Sequence, residues 1–263
     1  MFSKLTTLYK SLIIQFCLFL GTNNIMAKPF IIFHCEGNVA DTIEFEGKRV
    51  LHYLDQFGYK KSNDARFDIE NDIEIFRNKS SLEVIADFNI QPDHILECFK
   101  NVLIEMSLKI DEIKPIEGIQ KALQDLKDEG FELGLVTNNL EKSVVNFLKN
   151  NDLYQFFEGK IIVGDESTLF KMHDLLDQFV TEFNLNPKEV LFVGNRVSHA
   201  EAVINCKHVN NCIIVLAKES YSNSYCFHNW VVKTTIPTDK SIISYAGNAI
   251  YENLAQTIKK YFH

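Results

Sequence analysis

The chain has 263 residues, 46% of them hydrophobic and 24% charged, with a formal net charge of −8. That length buries one substantial core with room for a smaller insertion, and the composition excludes a disordered or fibrous protein. The acidic balance, with no locally basic stretch, excludes a partner held through nucleic-acid phosphates.

The first 27 residues differ from the rest. "MFSKLTTLYK" carries two lysines, "SLIIQFCLFL" is a largely apolar run, and "GTNNIMA" is small and polar, ending at Ala27. This is the order of a secretory signal peptide, and the run is too short to span a bilayer comfortably. A mis-assigned start is the rival reading, because "MAKPFIIF" is itself a plausible beginning at Met26; a retained anchor is the third. The protein is exported in the first case and cytoplasmic in the second. After processing, no membrane contact is expected, and the folded domain starts near Lys28.

Beyond that point, short apolar runs followed by turn signals predict buried parallel strands. They are "FIIFH" (30–34), "FELGLVTNN" (131–139), "KIIVGD" (160–165), "EVLFVGN" (189–195) and "NNCIIVLA" (210–217). Helical patterns lie between them. "IEGIQKALQDLKDEG" puts Ile119, Leu123 and Leu126 on one face and stops at Gly130. "LEKSVVNFLKNNDL", "MHDLLDQFVTEFNL" and "SHAEAVINCK" follow the same rule. Residues 44–113 break the alternation: "VLHYLDQFG", "DIENDIEIFRNKSSLEVIADF" and "PDHILECFKNVLIEMSLKI" read as helices. The expected fold is α/β, a three-layer doubly wound (Rossmann-like), mostly parallel sheet with right-handed crossovers and an inserted α-helical cap. The core spans 28–43 and 114–263, and the cap spans 44–113. The tail adds a strand-like "WVVK" and a final helix, with the lone Trp230 read as packing.

In such a sheet the chemistry sits immediately after each strand. Here these residues are His34-Cys35-Glu36-Gly37-Asn38, Thr137-Asn138-Asn139, Gly164-Asp165 with Lys171 following, and Gly194-Asn195 through His199. A hydroxyl, an amide, a lysine and a glycine-bearing loop at one sheet edge suit a phosphate, whose oxygens backbone N–H groups cradle and a lysine neutralises. The six cysteines (Cys17, Cys35, Cys98, Cys206, Cys212, Cys226) form no CxxC pair or zinc-ligand rhythm and read as small apolar residues. Cys35, beside the first strand's tip, is the one candidate reactive thiol.

The order and spacing resemble the haloacid dehalogenase superfamily, in particular its phosphoglycolate-phosphatase-like members with a helical cap, over nearly all of residues 29–262. The family's first motif is a strand followed by Asp-x-Asp-Gly-Thr-Leu-x-Asp-Thr/Ser. "FHCEGNVADT" keeps Gly37, Asp41 and Thr42 but puts His34 and Glu36 at the two aspartates. "LGLVTNN" matches the second motif, and the third motif's lysine falls on Lys171, followed by Met172 where Pro is usual. The fourth, Gly-Asp-x-x-x-Asp, is "GNRVSH", with Asn195 and His199 at the acidic positions.

The resemblance implies catalytic roles for positions 34 and 36, and phosphate binding by Gly37, Thr137, Asn138 and Lys171. It implies a divalent cation held near His34, Asn195 and His199. The departures fall on those roles. An imidazole at 34 supplies no anionic oxygen for Mg²⁺, and Glu36 carries its carboxyl one methylene further out. His199 does not replace a carboxylate for a hard cation. Mg²⁺ is therefore not expected. Two imidazoles and a carboxylate suit zinc, nickel or non-haem iron better. The resulting expectation is a fold-level phosphatase, degenerate in catalysis, binding a phosphorylated small molecule or a protein partner in the capped pocket. The alternative is an active hydrolase using His34 and Glu36 with a metal other than Mg²⁺, or a weak Mg²⁺-dependent phosphatase.

Overall fold

The computed structural model describes residues 30–58, 91–164, 171–216, 235–246, 254–256 and 258. Residues 1–29, the middle of the predicted insertion and the "WVVK" segment lie outside them.

Six strands form one sheet: β1 (Phe30–His34), β4 (Glu132–Thr137), β5 (Ile161–Val163), β6 (Val190–Gly194), β7 (Asn211–Leu216) and β8 (Ser241–Ala246). They lie in the order β5-β4-β1-β6-β7-β8, and every pairing is parallel. From β1 the chain builds outward to β4 and β5, then returns to the other side of β1 for β6. The crevice beside β1 is thus the topological switch point, where open α/β sheets hold ligands at the strands' carboxyl ends.

Each strand divides its side chains between the faces, as a period of two requires. Ile31, Phe33, Leu133, Leu135, Leu191 and Val193 pack on one side with α3 (Ile119–Asp128) and α4 (Glu141–Asn150). Phe30, Ile32, Val136, Val190 and Phe192 pack on the other with α6 (Met172–Glu182) and α7 (Val197–Asn205). The sheet therefore lies between two helical layers. Helix α3 buries Ile119, Ala122, Leu123 and Leu126, the stripe read from sequence, and Gly130 follows it at φ 80°. A short helix, α5 (Tyr154–Phe157), seats Phe156 and Phe157 in the first layer.

After β1 the chain makes a two-residue strand β2 (Ala40–Asp41), then enters α1 (Ile43–Gln56). It comes back through α2 (Pro92–Leu108), which packs against α1, and β3 (Lys114–Pro115). Strands β2 and β3 pair antiparallel, Ala40 opposite Pro115 and Asp41 opposite Lys114. This small clasp ties together the outgoing and returning chain beside the sheet edge. Among the described residues no helix is long and apolar enough to cross a membrane.

Two features depart from the sequence expectation. Strand β8 extends the sheet beyond the five predicted strands, and Ser241, Ile242 and Ile243 are only half-buried on that edge. Its sequence, "SIISYA", breaks the apolar run with Ser241 and Ser244, whereas β5 at the other edge keeps "IIV" unbroken. The β2–β3 pair is too short for a period-two signal.

Candidate functional site

The registers bring three strand tips together. His34 ends β1 opposite Val136, one residue before Thr137 ends β4, while Gly194 ends β6 on β1's other flank. The turn after β1 is tight: the Cys35 carbonyl accepts from the Val39 and Ala40 N–H groups, and Gly37 N–H donates to the Ala40 carbonyl. Gly37 sits at φ 75°, and a Cβ built there would lie 2.0 Å from Asn195 Nδ2. Glycine is required on both counts, for the left-handed backbone and for the approach of Asn195.

Position 36 organises one half of the site. Thr137 Oγ1 lies 2.8 Å from each Glu36 carboxyl oxygen, and Asn139 Nδ2 reaches Oε1 at 3.3 Å. Asn139 N–H in turn donates to Thr137 Oγ1, and Asn139 Oδ1 accepts from Leu140 N–H at the start of α4. The hydroxyl expected to hold a phosphate is thus engaged by the chain's own carboxyl. The additional methylene of glutamate supplies the reach. Burial pushes the Glu36 carboxyl up from its ordinary range, opposed first by the Thr137 hydrogen bond and then by smaller contributions that include Asn139 and the Arg196 charge.

His34 is buried, and its Nδ1 lies 2.9 Å from the Glu36 carbonyl oxygen. A carbonyl only accepts, so Nδ1 carries the proton and Nε2 presents a lone pair, 3.4 Å from Glu36 Oε2. That contact becomes an ion pair only if the ring protonates. Burial opposes this and, with the nearby Arg196 charge, brings the His34 pKa down to about 4. His199 is held well below its ordinary value by burial, then by His34 and Arg196. The two rings lie 4.2 Å apart at 49°. His199 Nδ1 accepts from Asn195 N–H at 3.1 Å, which assigns the proton of the neutral ring to Nε2. A Cβ on Gly194 would fall 2.6 Å from His199 Cβ, so glycine permits this packing.

The loop after β6 also carries a residue that the sequence reading passed over. Arg196, at the N-cap of α7, is only 6% exposed, and its Nε and Nη2 have no hydrogen-bond partner. Its Nη2 lies 3.8 Å from Glu46 Oε2 on α1, and Glu46 Oε1 accepts from Thr42 Oγ1 at 2.6 Å. Asn195 Oδ1 and Asn138 Oδ1 are likewise buried without a partner.

Lys171 stands apart. Its side chain is 59% exposed and lies 3.8 Å from Asp174, one turn along α6. Cys35 is buried and free, and burial followed by the Glu36 and Glu46 charges pushes its thiol well up. The reactive-thiol expectation is therefore corrected, because an accessible thiolate is what reactivity needs. Asp165 lies outside the described residues.

The described residues of this edge do not fit a divalent cation. Magnesium asks for several oxygen ligands, and here the Glu36 carboxyl is committed to Thr137 and Asn139. For a softer metal, His34 offers Nε2, but the His199 tautomer leaves a proton on its Nε2. Among the described residues no group of three His, Cys, Asp or Glu side chains is arranged to hold a metal ion. Arg196 adds a positive charge to the same edge, which opposes another cation.

Comparison with known proteins agrees with this architecture. The family model of haloacid dehalogenase-like hydrolases matches residues 31–207. The chain is 22% identical over 166 residues to the pyrophosphatase PpaX of Bacillus mycoides, covering 63% of this chain and 74% of the relative. It is 31% identical over 90 residues to a phosphoglycolate phosphatase of Thiobacillus denitrificans, covering 34% and 39%. In structure it resembles a haloacid dehalogenase-like family hydrolase of Streptococcus pneumoniae, with a TM-score of 0.64 at 16% identity over 90% of this chain and 99% of the other. With the parallel sheet, the strand-tip loops and the family match in agreement, the chain belongs to the haloacid dehalogenase-like hydrolases.

Proposed function

We propose that this protein binds a phosphorylated small molecule at the switch-point edge of the sheet and does not hydrolyse it by the family's aspartyl-phosphate route. The phosphoryl class comes from the family and from the pyrophosphatase and phosphoglycolate phosphatase relatives. The observation that carries the reading is the tip of β1. Where a carboxylate nucleophile is expected, a neutral imidazole is tethered through Nδ1–H to the Glu36 carbonyl at 2.9 Å. The acidic group two residues on is engaged with Thr137 instead of standing free for proton transfer. Nucleophile and acid must meet the substrate within hydrogen-bond reach, and a change of one methylene is enough to lose that alignment. The insertion helices α1 and α2 then serve as the cap over the ligand.

One observation favours a second reading. His34 Nε2 keeps its lone pair at neutral pH, and an imidazole in that form is a competent nucleophile toward phosphorus. Both readings are tested by assaying the chain from Lys28 with an aryl phosphate in Mg²⁺, Mn²⁺, Zn²⁺ and Ni²⁺, beside His34→Ala. No release of the aryl alcohol above the protein-free control is expected with any of the four. Turnover that disappears in His34→Ala would establish the hydrolase reading instead.

A further inference from the structure

We propose that Arg196 is the anion-binding group of this site, its guanidinium taking the phosphoryl oxygens directly and without a metal ion. This rests on the reading that the edge binds a phosphorylated ligand, and it deepens that reading by assigning the residue and the mode.

Guanidinium groups are seldom enclosed unless their donors are engaged, because desolvating an ion and leaving its N–H groups unmatched is costly. Arg196 is 6% exposed, and the atoms without partners are Nε and Nη2. Those two nitrogens form one edge of the planar group. Their N–H bonds run parallel and match two oxygens of a phosphate or carboxylate, a fit that a lysine ammonium lacks. Glu46 Oε2 stays 3.8 Å from Nη2, beyond hydrogen-bond length, while the other Glu46 oxygen is engaged by Thr42.

Arg196 follows β6 at the switch point and stands at the N-cap of α7, whose first N–H groups add positive potential toward an anion. The neighbouring imidazoles of His34 and His199 are neutral and add no competing charge. The described residues of the edge are unsuited to a divalent cation, yet they include the fixed positive charge of Arg196. The lysine that the family motif would supply, Lys171, is turned to solvent beside Asp174.

Equilibrium dialysis of the full chain against radiolabelled inorganic phosphate, at fixed ionic strength, tests this with EDTA in one arm and Mg²⁺ in the other. Saturable binding of equal affinity in both arms is expected. Arg196→Met should weaken it about tenfold or more, and Arg196→Lys less, since the charge stays but the fork is lost. Glu46→Gln should tighten it, because the neighbouring carboxylate no longer competes for the guanidinium. Should Arg196→Met fail to fold, Arg196→Lys and Glu46→Gln read the same quantity.

Wild-type binding that survives unchanged in Arg196→Met, or that shows no response to Arg196→Lys and Glu46→Gln, would make the Arg196–Glu46 contact a structural tie and overturn the proposal alone. Binding that needs Mg²⁺ would overturn it too. Wild-type protein that binds no phosphate in either arm would overturn the phosphoryl-binding reading itself.

Discussion

The two halves of the strand-tip cluster are built on opposite terms. On the β1–β4 side, Glu36, Thr137 and Asn139 close a ring of hydrogen bonds at 2.8–3.3 Å, with only Asn138 Oδ1 of that loop left outside it. On the β6 side, Asn195 Oδ1 and Arg196 Nε and Nη2 are equally shielded from water but unmatched. Buried polar groups in folded proteins are overwhelmingly paired, so the first half describes a structure at rest and the second a structure prepared for something else. Four substitutions or conditions test that contrast, beginning with the largest expected effect.

The first concerns the seam where the rings of His34 and His199 meet. The His34 pKa is near 4 when folded and near 6.5 when unfolded. As pH falls from 6.5 to 4, the unfolded chain takes up a proton that the folded one refuses. Stability therefore declines across that window, by about 3 kcal/mol for this group, and the loss levels off below it. His199 acts in the same direction; Glu36, whose pKa is raised, acts in the opposite one. Arg196 and Glu46 also face His34. Urea melts of wild type and His34→Asn across this range isolate the contribution of the ring, and wild type should show the steeper decline. Parallel profiles would mean that the ring is accessible to protons.

Gly37→Ala comes next. The added methyl must tolerate φ 75° and displace Asn195, which lies 2.0 Å from its position. We expect about 2 kcal/mol of lost stability, measured by urea unfolding, and weaker phosphate binding, because Asn195 flanks Arg196.

Thr137→Val removes the hydroxyl shared between both Glu36 oxygens while keeping the shape. About 1.5 kcal/mol should be lost, since a buried carboxyl loses the strongest of its hydrogen bonds. Arg196→Met combined with Glu46→Gln should show the opposite behaviour, with a melting temperature equal to or above that of wild type, because a buried and incompletely paired ion pair is replaced without leaving either charge alone. A loss as large as that of Thr137→Val would erase the distinction between the two halves.

Much of the fold could be read from sequence because its signals are periodic. Five strands announced themselves as apolar runs ending in turns, and the buried stripe of α3 was visible as Ile119, Leu123 and Leu126. Strand β8 escaped because Ser241 and Ser244 interrupt its apolar run, while β5 at the other edge has no such break. The site was legible as a set of positions, since the residue after each strand follows from the topology. Its wiring was not. That Glu36 reaches Thr137 depends on the turn geometry at Gly37, and that Lys171 faces Asp174 depends on a rotamer. Arg196 was overlooked for a physical reason as well: arginines in loops are usually exposed, and nothing in "GNRVSH" declares that this one is enclosed.

The central claim, that a phosphorylated ligand is held at this edge and left intact, can be put to one sample. An aryl phosphate is incubated with the full chain and Mg²⁺ and followed by ³¹P NMR. The account predicts that the ester resonance broadens or shifts with increasing protein while no inorganic phosphate accumulates beyond the protein-free control. Inorganic phosphate that grows with protein concentration, and ceases to do so in His34→Ala, would contradict it.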